Sequence, residues 1–387
     1  MIFNLQAFGD WLHRHQAGIL RLQWGMACLY AVLLLGPFLT WGGAALLTRW
    51  AEVVFWGVWW PGVILSVMLV GQFWCGLLCP DGALTEWSSR YGRGLKPAAW
   101  MRHGWLPVVL FSVLSVVTDA SRAHDSPMGV LLTVGGASLA ALVTGLIYGR
   151  GKRIWCRYLC PMAGLFSLLG RCSPLYFHVD RVRWDAAAKP LPKPVECPLL
   201  LDVRRLVGTE KCNMCARCSG HRDAVRLAWR MPGAEIAGLP SAGVRQWEAL
   251  AICFVLIGLA HGGAVASGEI TAILILALGA GTCSTALLLL AAGNRPGAAL
   301  LSYALLPLGG AGLFLAALSH AAGILSGLGV SLPLDMVRLG VLTVAALWSA
   351  WLAWVLSDRM APWRGRSVMS VLIAGLACTF ALAPHLI

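Results

Sequence analysis

Charged residues are scarce in this chain of 387 residues. Only 12% of the residues are Asp, Glu, Lys or Arg, whereas 58% are hydrophobic, and the mean hydropathy is +0.73. A soluble globular domain has about 25% charged residues. The composition therefore excludes an ordinary soluble protein and indicates an integral membrane protein.

The apolar runs also lack the alternation of apolar and polar residues that is typical of membrane β-strands. A helical span needs about 20 mostly apolar residues, and a helix satisfies its own backbone groups in lipid. We therefore predict an all-α polytopic membrane protein with about nine transmembrane helices. The predicted spans are 24–47, 52–73, 104–120, 127–148, 248–265, 269–292, 297–320, 335–356 and 367–386.

Acidic residues are fewer than basic ones, 17 against 30, which gives a net charge of +13. The basic residues lie in loops beside the apolar spans, where they set membrane topology. We therefore expect membrane lipid and no nucleic acid as a partner. By the positive-inside rule, this multi-pass protein of the bacterial inner membrane has its amino terminus on the cytoplasmic side and the loop 121–126 outside.

A cleavable signal peptide is not evident, because charged and histidine residues interrupt the first 22 positions. Residues 1–22 are predicted to be an interfacial amphipathic segment; a frayed terminus is the alternative. The apolar face of this segment would consist of Ile2, Phe3, Leu5, Phe8, Trp11 and Leu12.

Cysteine carries most of the recognisable chemistry. Eight of the 13 cysteines stand in patterned settings: Cys75, Cys79, Cys156, Cys160, Cys197, Cys212, Cys215 and Cys218. Four cysteine thiolates are the usual ligands of an iron–sulfur cluster, and spacings of two residues with a remote Cys-Pro are typical of such sites. The eight cysteines therefore predict two 4Fe–4S clusters. Zinc is the inorganic alternative, although its sites usually pair two Cys-x2-Cys knuckles, and a reducing cytosol disfavours disulfides.

An internal repeat organises the first half of the chain. The motif Trp-Cys-x3-Cys-Pro at 74–80 recurs at 155–161, and each copy follows two apolar spans. Residues 23–164 are thus predicted to be duplicated transmembrane hairpins that each end in Cys-x3-Cys-Pro. This spacing puts both sulfurs on one side of a helical turn, and the proline can begin a new segment.

The remaining chain divides into a polar and an apolar part. Residues 165–246 hold Cys197 and the Cys212, Cys215, Cys218 triplet, and we predict a cytoplasmic ferredoxin-like segment there. Residues 247–387 are predicted to be a five-helix membrane domain, in which His261 and His320 lie near outer span ends. Such histidines could bind haem or a quinone headgroup, although backbone or water satisfies most interfacial histidines. We keep quinone as a candidate ligand and do not expect haem.

On these motifs the chain resembles the membrane polyferredoxin family typified by NapH and by the membrane portion of NosR. The resemblance covers about residues 20–230. It implies single-electron transfer between the quinone pool or a protein partner and 4Fe–4S clusters on the cytoplasmic face. It also implies a periplasmic or membrane-bound reductase or oxidase system as redox partner. The family usually continues a cysteine triplet with x3-Cys-Pro, whereas position 222 is Arg here and the available Cys-Pro lies upstream, at Cys197.

Two divisions of the eight thiolates are compatible with the sequence. Either the two Cys-x3-Cys turns share one cluster and Cys197 joins the triplet at the other, or each turn is divided between both clusters. Arg153, Arg157, Lys211 and Arg217 are placed either to stabilise a negatively charged cluster or to set topology.

No catalytic residue is predicted, and the chain would be an electron-transfer component of an oxidoreductase system. The alternatives are a copper reductase or assembly factor for a respiratory enzyme and, from another class, a transporter or scaffold with structural zinc.

Overall fold

A computed structural model describes residues 4–39, 44–187, 193–240, 243–265, 269–360 and 362–383. Its α-helices are, in chain order, α1 (Leu5–Arg14), α2 (Gln16–Leu39), α3 (Ala44–Glu52), α4 (Trp60–Val70), α5 (Phe73–Leu77), α6 (Pro80–Tyr91), α7 (Leu106–Ala120), α8 (Pro127–Val130), α9 (Gly136–Ile147), α10 (Pro161–Leu169), α11 (Arg181–Asp185), α12 (Ala234–Ala237), α13 (Gln246–Leu250), α14 (Ala260–Val265), α15 (Ile270–Ala292), α16 (Arg295–Ser302), α17 (Leu306–Ser326), α18 (Leu334–Ser357) and α19 (Pro362–Leu382). The strands are β1 (Leu175–Val179) and β2 (Val225–Trp229). Four π-helical segments, Val53–Trp59, Leu131–Gly135, Trp155–Leu159 and Ala251–Leu259, continue or precede these helices.

The prediction of an all-α polytopic membrane protein is confirmed. Within the described residues, eight helical segments are long and apolar enough to cross a membrane: Gln16–Leu39, Ala45–Val70, Pro127–Ile147, Gln246–Val265, Ile270–Ala292, Arg295–Ser326, Leu334–Ser357 and Trp363–Leu382. The one remaining predicted span, 104–120, corresponds to α7, which is apolar but has only 15 residues. That length is below the roughly 20 residues of a standard crossing.

The first span differs from its predicted position. The sequence predicts 24–47, whereas α2 begins at Gln16 and ends at Leu39. A new helix, α3, begins at Ala44, and residues 40–43 lie outside the described residues. The shift arises because residues 16–23 continue the helical pattern of the apolar run, although they are more polar.

The described residues form two compact units. The first is drawn from 1–41, 66–107 and 131–232, and the second from 42–65, 108–130 and 233–387. All eight patterned cysteines belong to the first unit. The second unit contains the five C-terminal membrane segments, together with two stretches of the first half.

In the first unit, α6 packs closely against α9. A Cβ atom added at Gly145 of α9 would lie 2.0 Å from Ser88 Oγ and 2.5 Å from the Thr85 carbonyl oxygen. Small residues at such a crossing let two membrane helices approach each other. This contact fixes α6, and α6 carries the end of the first cysteine motif.

The polar segment of the first unit contains a small antiparallel sheet. Strand β1 pairs with β2 in a register that runs from Leu175 opposite Trp229 to Val179 opposite Val225. Helix α1 packs on this sheet, with Leu12 only 3% exposed within a core that includes Phe177, Met214 and Leu227. The apolar face of α1 is thus largely occupied by protein. The interfacial location of residues 1–22 stays a prediction, and Ile2 and Phe3 lie outside the described residues.

In the second unit, the segment from Arg295 to Ser326 is almost wholly buried among its neighbours. Its glycines permit close packing, since a Cβ at Gly312 would lie 2.3 Å from the ring of Phe380. The buried carboxylate of Glu248 accepts hydrogen bonds from Tyr303 and, at 2.9 Å, from Arg245. These contacts tie α13 and α16 to the surrounding helices.

Candidate iron–sulfur site

The two Cys-x3-Cys turns share one closing backbone hydrogen bond. Cys75 lies in α5, and the N–H group of Cys79 donates to the Trp74 carbonyl, five residues back, at 3.0 Å. Cys156 lies in the π-helix Trp155–Leu159, and the N–H group of Cys160 donates to the Trp155 carbonyl at 2.8 Å. The sequence predicts an ordinary helical turn for this spacing. In the first copy this turn is present, because the Leu78 N–H donates to the Trp74 carbonyl at 2.9 Å, and the wider π-type bond is added to it. In the second copy the turn is π-helical.

Each motif then places its second cysteine at a helix N-terminus. Cys79 is the N-cap of α6 and Cys160 that of α10, with Pro80 and Pro161 at the next position. Proline suits this position because its missing N–H would have no helical partner anyway. The next backbone N–H groups, those of Asp81, Gly82, Met162 and Ala163, bond to the two sulfurs. A helix N-terminus favours negative charge and so stabilises a thiolate.

We call Cys75, Cys79, Cys156 and Cys160 the first quartet. Burial raises the pKa of Cys75 well above its usual value, and the charges of Cys79, Cys160 and Cys156 raise it further. Burial also raises the pKa of Cys160, to about 12. The charges of these four groups act on one another. Four thiolates here would repel each other, so they require a positively charged ligand. Metal binding to such thiols releases their protons.

We call Cys197, Cys212, Cys215 and Cys218 the second quartet. Burial raises the pKa of Cys218, and the charges of Cys212, Cys215 and Cys197 add to this effect. The triplet turn has left-handed backbone at Met214 and Ala216, and the Met214 N–H donates to Cys212 Sγ at 3.4 Å. Left-handed residues in a turn point successive N–H groups inward, a geometry found at many iron–sulfur sites.

The two quartets meet at Gly76. A Cβ atom at this position would lie 2.1 Å from the Asn213 carbonyl oxygen and 2.8 Å from the Cys215 nitrogen. The backbone that follows Cys75 therefore touches the turn that carries Cys215. Gln23 adds a further tie, because its Nε2 donates to the Gly76 carbonyl at 2.8 Å.

A Gly76→Ala substitution should separate these two turns. The added methyl group collides with backbone rather than with a movable side chain, so we expect at least the roughly 1–3 kcal/mol of a typical overpacking change. Iron per chain and the thermal midpoint should both fall. Gly25→Ala on α2 is the matched control, because a Cβ there meets nothing within 4 Å. A Gly76→Ala protein with the iron content and midpoint of the control would contradict this packing argument.

A buried ion network lies between the quartets. Arg153 is 1% exposed, and its Nε donates to Glu86 at 2.8 Å while its Nη1 donates to the Cys75 carbonyl at 3.3 Å. Arg217 also donates to both oxygens of Glu86 at 2.8 Å. Burial disfavours the charge of Arg153, but Glu86, Cys156 and Cys215 outweigh that effect and hold its pKa above the usual range. Arg153 thus interacts electrostatically with one thiol of each quartet.

Glu86 remains ionised in this network. Burial raises the pKa of its carboxyl group, yet Arg153 and Arg217 more than offset burial and hold the pKa below its usual value. Glu86 and Gln23 were not predicted from the sequence. A signal was available for Glu86, because it is one of only 17 acidic residues and stands on the helix that begins at a cysteine motif.

The four basic residues singled out in the sequence have different environments. Arg153 and Arg217 share Glu86, as described above. Lys211 pairs with Glu210 at 3.4 Å and is 40% exposed. The guanidinium of Arg157 lies 5.7 Å from the ring centroid of Tyr158. Two of the four therefore belong to the charge network beside the cysteines.

Another acidic group lies beside the first quartet. Burial raises the pKa of Asp81 to about 6, and Ser138 of α9 donates to Asp81 Oδ1 at 2.6 Å. Asp81 is the second residue of α6, so the helix N-terminus also stabilises its negative charge.

The candidate histidines of the second unit have different partners. The ring nitrogens of His261 contact the Ile257 carbonyl at 2.8 Å and Thr379 Oγ1 at 2.6 Å, so both are occupied by protein. His320 lies against His124 instead, with ring centroids 4.6 Å apart. Quinone binding in this domain stays a prediction.

The other cysteines form no disulfide with each other or with the quartets in the described part of the chain. Cys172 and Cys253 are buried, whereas Cys28, Cys283 and Cys378 are exposed on apolar helices.

Comparison with known proteins supports an iron–sulfur site. A family model described as a 4Fe–4S binding domain matches residues 53–99 and 131–182, the segments that contain the first quartet. The chain is also similar to YccM of Escherichia coli (strain K12), named as a candidate electron transport protein, with 26% identity over 227 residues. That alignment covers 51% of this chain and 62% of YccM. No solved structure matches the chain.

The first quartet fits a 4Fe–4S cluster by its donor set. Four half-buried thiols are close enough for their charges to act on one another, backbone N–H groups reach two of the sulfurs, and Arg153 supplies nearby positive charge. Thiolate ligands, hydrogen bonds to sulfur and burial are the features by which proteins hold such clusters and set their potentials. The chain is thus a multi-pass membrane protein with a 4Fe–4S binding domain, and the comparisons support a role in electron transport.

Proposed function

We propose that this protein carries single electrons through two 4Fe–4S clusters, one held by each quartet. The supporting observation is the contact between the quartets, where Gly76 lies against the Asn213–Cys215 backbone. Arg153 also interacts electrostatically with one thiol of each quartet. A 4Fe–4S cluster supplies reversible one-electron chemistry when it is bound. Two clusters held on either side of this buried backbone contact would be joined by a short path for an electron.

The chain's own residues would set the potentials along this path. Arg153 and Arg217 bring two positive charges against the single negative charge of Glu86, which stabilises the added electron on either cluster. The N–H groups at the starts of α6 and α10 act in the same direction at Cys79 and Cys160. Burial opposes this stabilisation of the added electron, because surroundings of low polarity disfavour net charge.

We further propose a NapH/NosR-like position for the protein in the bacterial inner membrane. The basic loops beside the cysteine motifs favour a cytoplasmic location of both quartets. Electrons would then pass between the quinone pool, or a protein partner, and a periplasmic or membrane-bound reductase or oxidase system.

Metal and sulfide analysis of anaerobically purified protein tests the proposal. We expect about eight irons and about eight acid-labile sulfides per chain, the total for two four-iron clusters, together with brown colour that bleaches on reduction. The structural-zinc alternative has no visible absorption and no sulfide. Stoichiometric zinc without iron after anaerobic preparation would overturn the proposal.

A further inference from the structure

A second group of metal-ligating side chains lies in the second unit. His124 and Asp125 are neighbours in the 3-10 turn Ala123–Asp125, which joins α7 to α8. His320 comes from α17, far along the sequence. One donor atom from each of the three residues lies within 4.8 Å of the other two, and no residue is shared with either quartet.

The turn that presents His124 and Asp125 is held tightly. Arg122 has left-handed backbone with φ of 47°, and its carbonyl accepts the Asp125 N–H at 3.0 Å. Gly129 packs closely against this turn, because a Cβ atom added at Gly129 would lie 2.1 Å from the Ala123 carbonyl oxygen. The backbone that carries the two donors is therefore held by local contacts. A non-glycine residue in this conformation is uncommon and stores strain that the surroundings must offset.

The distances match those of a coordination shell. His124 Nε2 lies 3.3 Å from Asp125 Oδ1. With metal–ligand bonds of about 2.1 Å, two donors of a tetrahedral site lie about 3.4 Å apart. The His320 ring stands at 88° to that of His124, with centroids 4.6 Å apart. The third donor, from His320, lies within 4.8 Å of the other two.

The donor set also selects the kind of ion. Two imidazoles and one carboxylate suit Zn²⁺, Cu²⁺, Ni²⁺ or Fe²⁺, whereas Mg²⁺ and Ca²⁺ prefer oxygen ligands only. Glu52 lies close enough to Asp125 for their charges to act on each other, which adds negative potential around a cation. A bare ion pair between protonated His124 and Asp125 is the alternative, but it gives no role to the His320 ring.

We propose that His124, Asp125 and His320 bind one divalent first-row transition metal ion, with an open position for a further ligand. The topology predicted from the basic loops places this turn on the outer face of the membrane. The site is independent of electron transfer through the cysteines, so either proposal can fail without the other.

Zinc binding to the full, cluster-loaded chain in detergent tests the site. After anaerobic equilibrium dialysis against Zn²⁺ and mass-spectrometric metal analysis, we expect one bound zinc per chain in the unsubstituted protein. His124→Ala and His320→Ala should each weaken binding at least tenfold, whereas His103→Ala, which removes an exposed histidine of the first unit, should leave it unchanged. The thermal midpoint and the size-exclusion profile, measured on the same samples, show that each variant is folded; if His320→Ala is not, Asp125→Asn replaces it.

X-ray absorption at the zinc edge separates this site from zinc bound to cysteine. Nitrogen and oxygen ligands lie at about 2.0–2.1 Å, whereas sulfur lies at about 2.3 Å. A shell of nitrogen and oxygen alone, lost in the histidine variants, supports the site. A sulfur shell, binding that is unchanged in His124→Ala and His320→Ala, or no zinc in the unsubstituted protein would each overturn it.

Discussion

A Cys215→Ser variant is expected to lose about half of its iron and sulfide and to keep one cluster with an unchanged EPR spectrum. A Cys79→Ser variant should lose the other half and keep the complementary spectrum. Serine cannot replace a thiolate ligand without a large loss of affinity for iron, because clusters of this type are held by cysteine thiolates. Cys28→Ser is the control, since Cys28 is exposed on the apolar helix α2 and belongs to neither quartet.

This expectation follows from how the structure groups the eight thiols. The charges that raise the pKa of Cys75 come from Cys79, Cys160 and Cys156, and those at Cys218 come from Cys212, Cys215 and Cys197. Both Cys-x3-Cys turns close with the same π-type hydrogen bond and end at an N-cap. The similarity of the two turns supports a single cluster that is bound by all four of their cysteines with near twofold symmetry.

The crossed division, in which each turn provides ligands to both clusters, predicts a different result. It requires Cys197→Ser to abolish the same EPR signal as Cys79→Ser. It also requires the signal that depends on Cys215 to survive in Cys197→Ser. That pair of results would show that our assignment of Cys197 to the second quartet is wrong.

A Glu86→Gln variant should be strongly destabilised. The change leaves Arg153 and Arg217 without their shared counter-charge, and Arg153 is 1% exposed. Removing one partner of a buried ion pair typically costs about 3–5 kcal/mol. The thermal midpoint of the purified protein, followed by loss of the visible cluster absorption, measures this effect.

Two further variants make the Glu86 experiment decisive. Glu196→Gln removes a surface carboxylate that is 85% exposed and pairs with Lys152 at 3.2 Å, and exposed pairs contribute little. Arg153→Gln combined with Glu86→Gln should recover part of the loss, because it removes both buried charges of the pair. Equal midpoints for Glu86→Gln and Glu196→Gln would show that the buried network does not stabilise the fold.

Features that depend on composition and short spacing were predictable from the sequence. The membrane-spanning class follows from the length of apolar runs, and eight of the nine predicted spans correspond to helices that can cross a membrane. The motif at 74–80 and its copy at 155–161 predicted that the proline can begin a new segment after each pair of cysteines, and the helices α6 and α10 begin there. These outcomes depend on local backbone chemistry, so a single sequence contains enough information for them.

The tertiary structure decided everything that depends on residues distant in the chain. Glu86 becomes a central residue only because α6 carries it against Arg153 and Arg217, which come from two later segments. His124 and His320 meet only when α17 packs beside the turn after α7. Sequence patterns indicate which residues can be buried and which can bind a metal. The packing of helices that are far apart in the chain determines which of these residues meet.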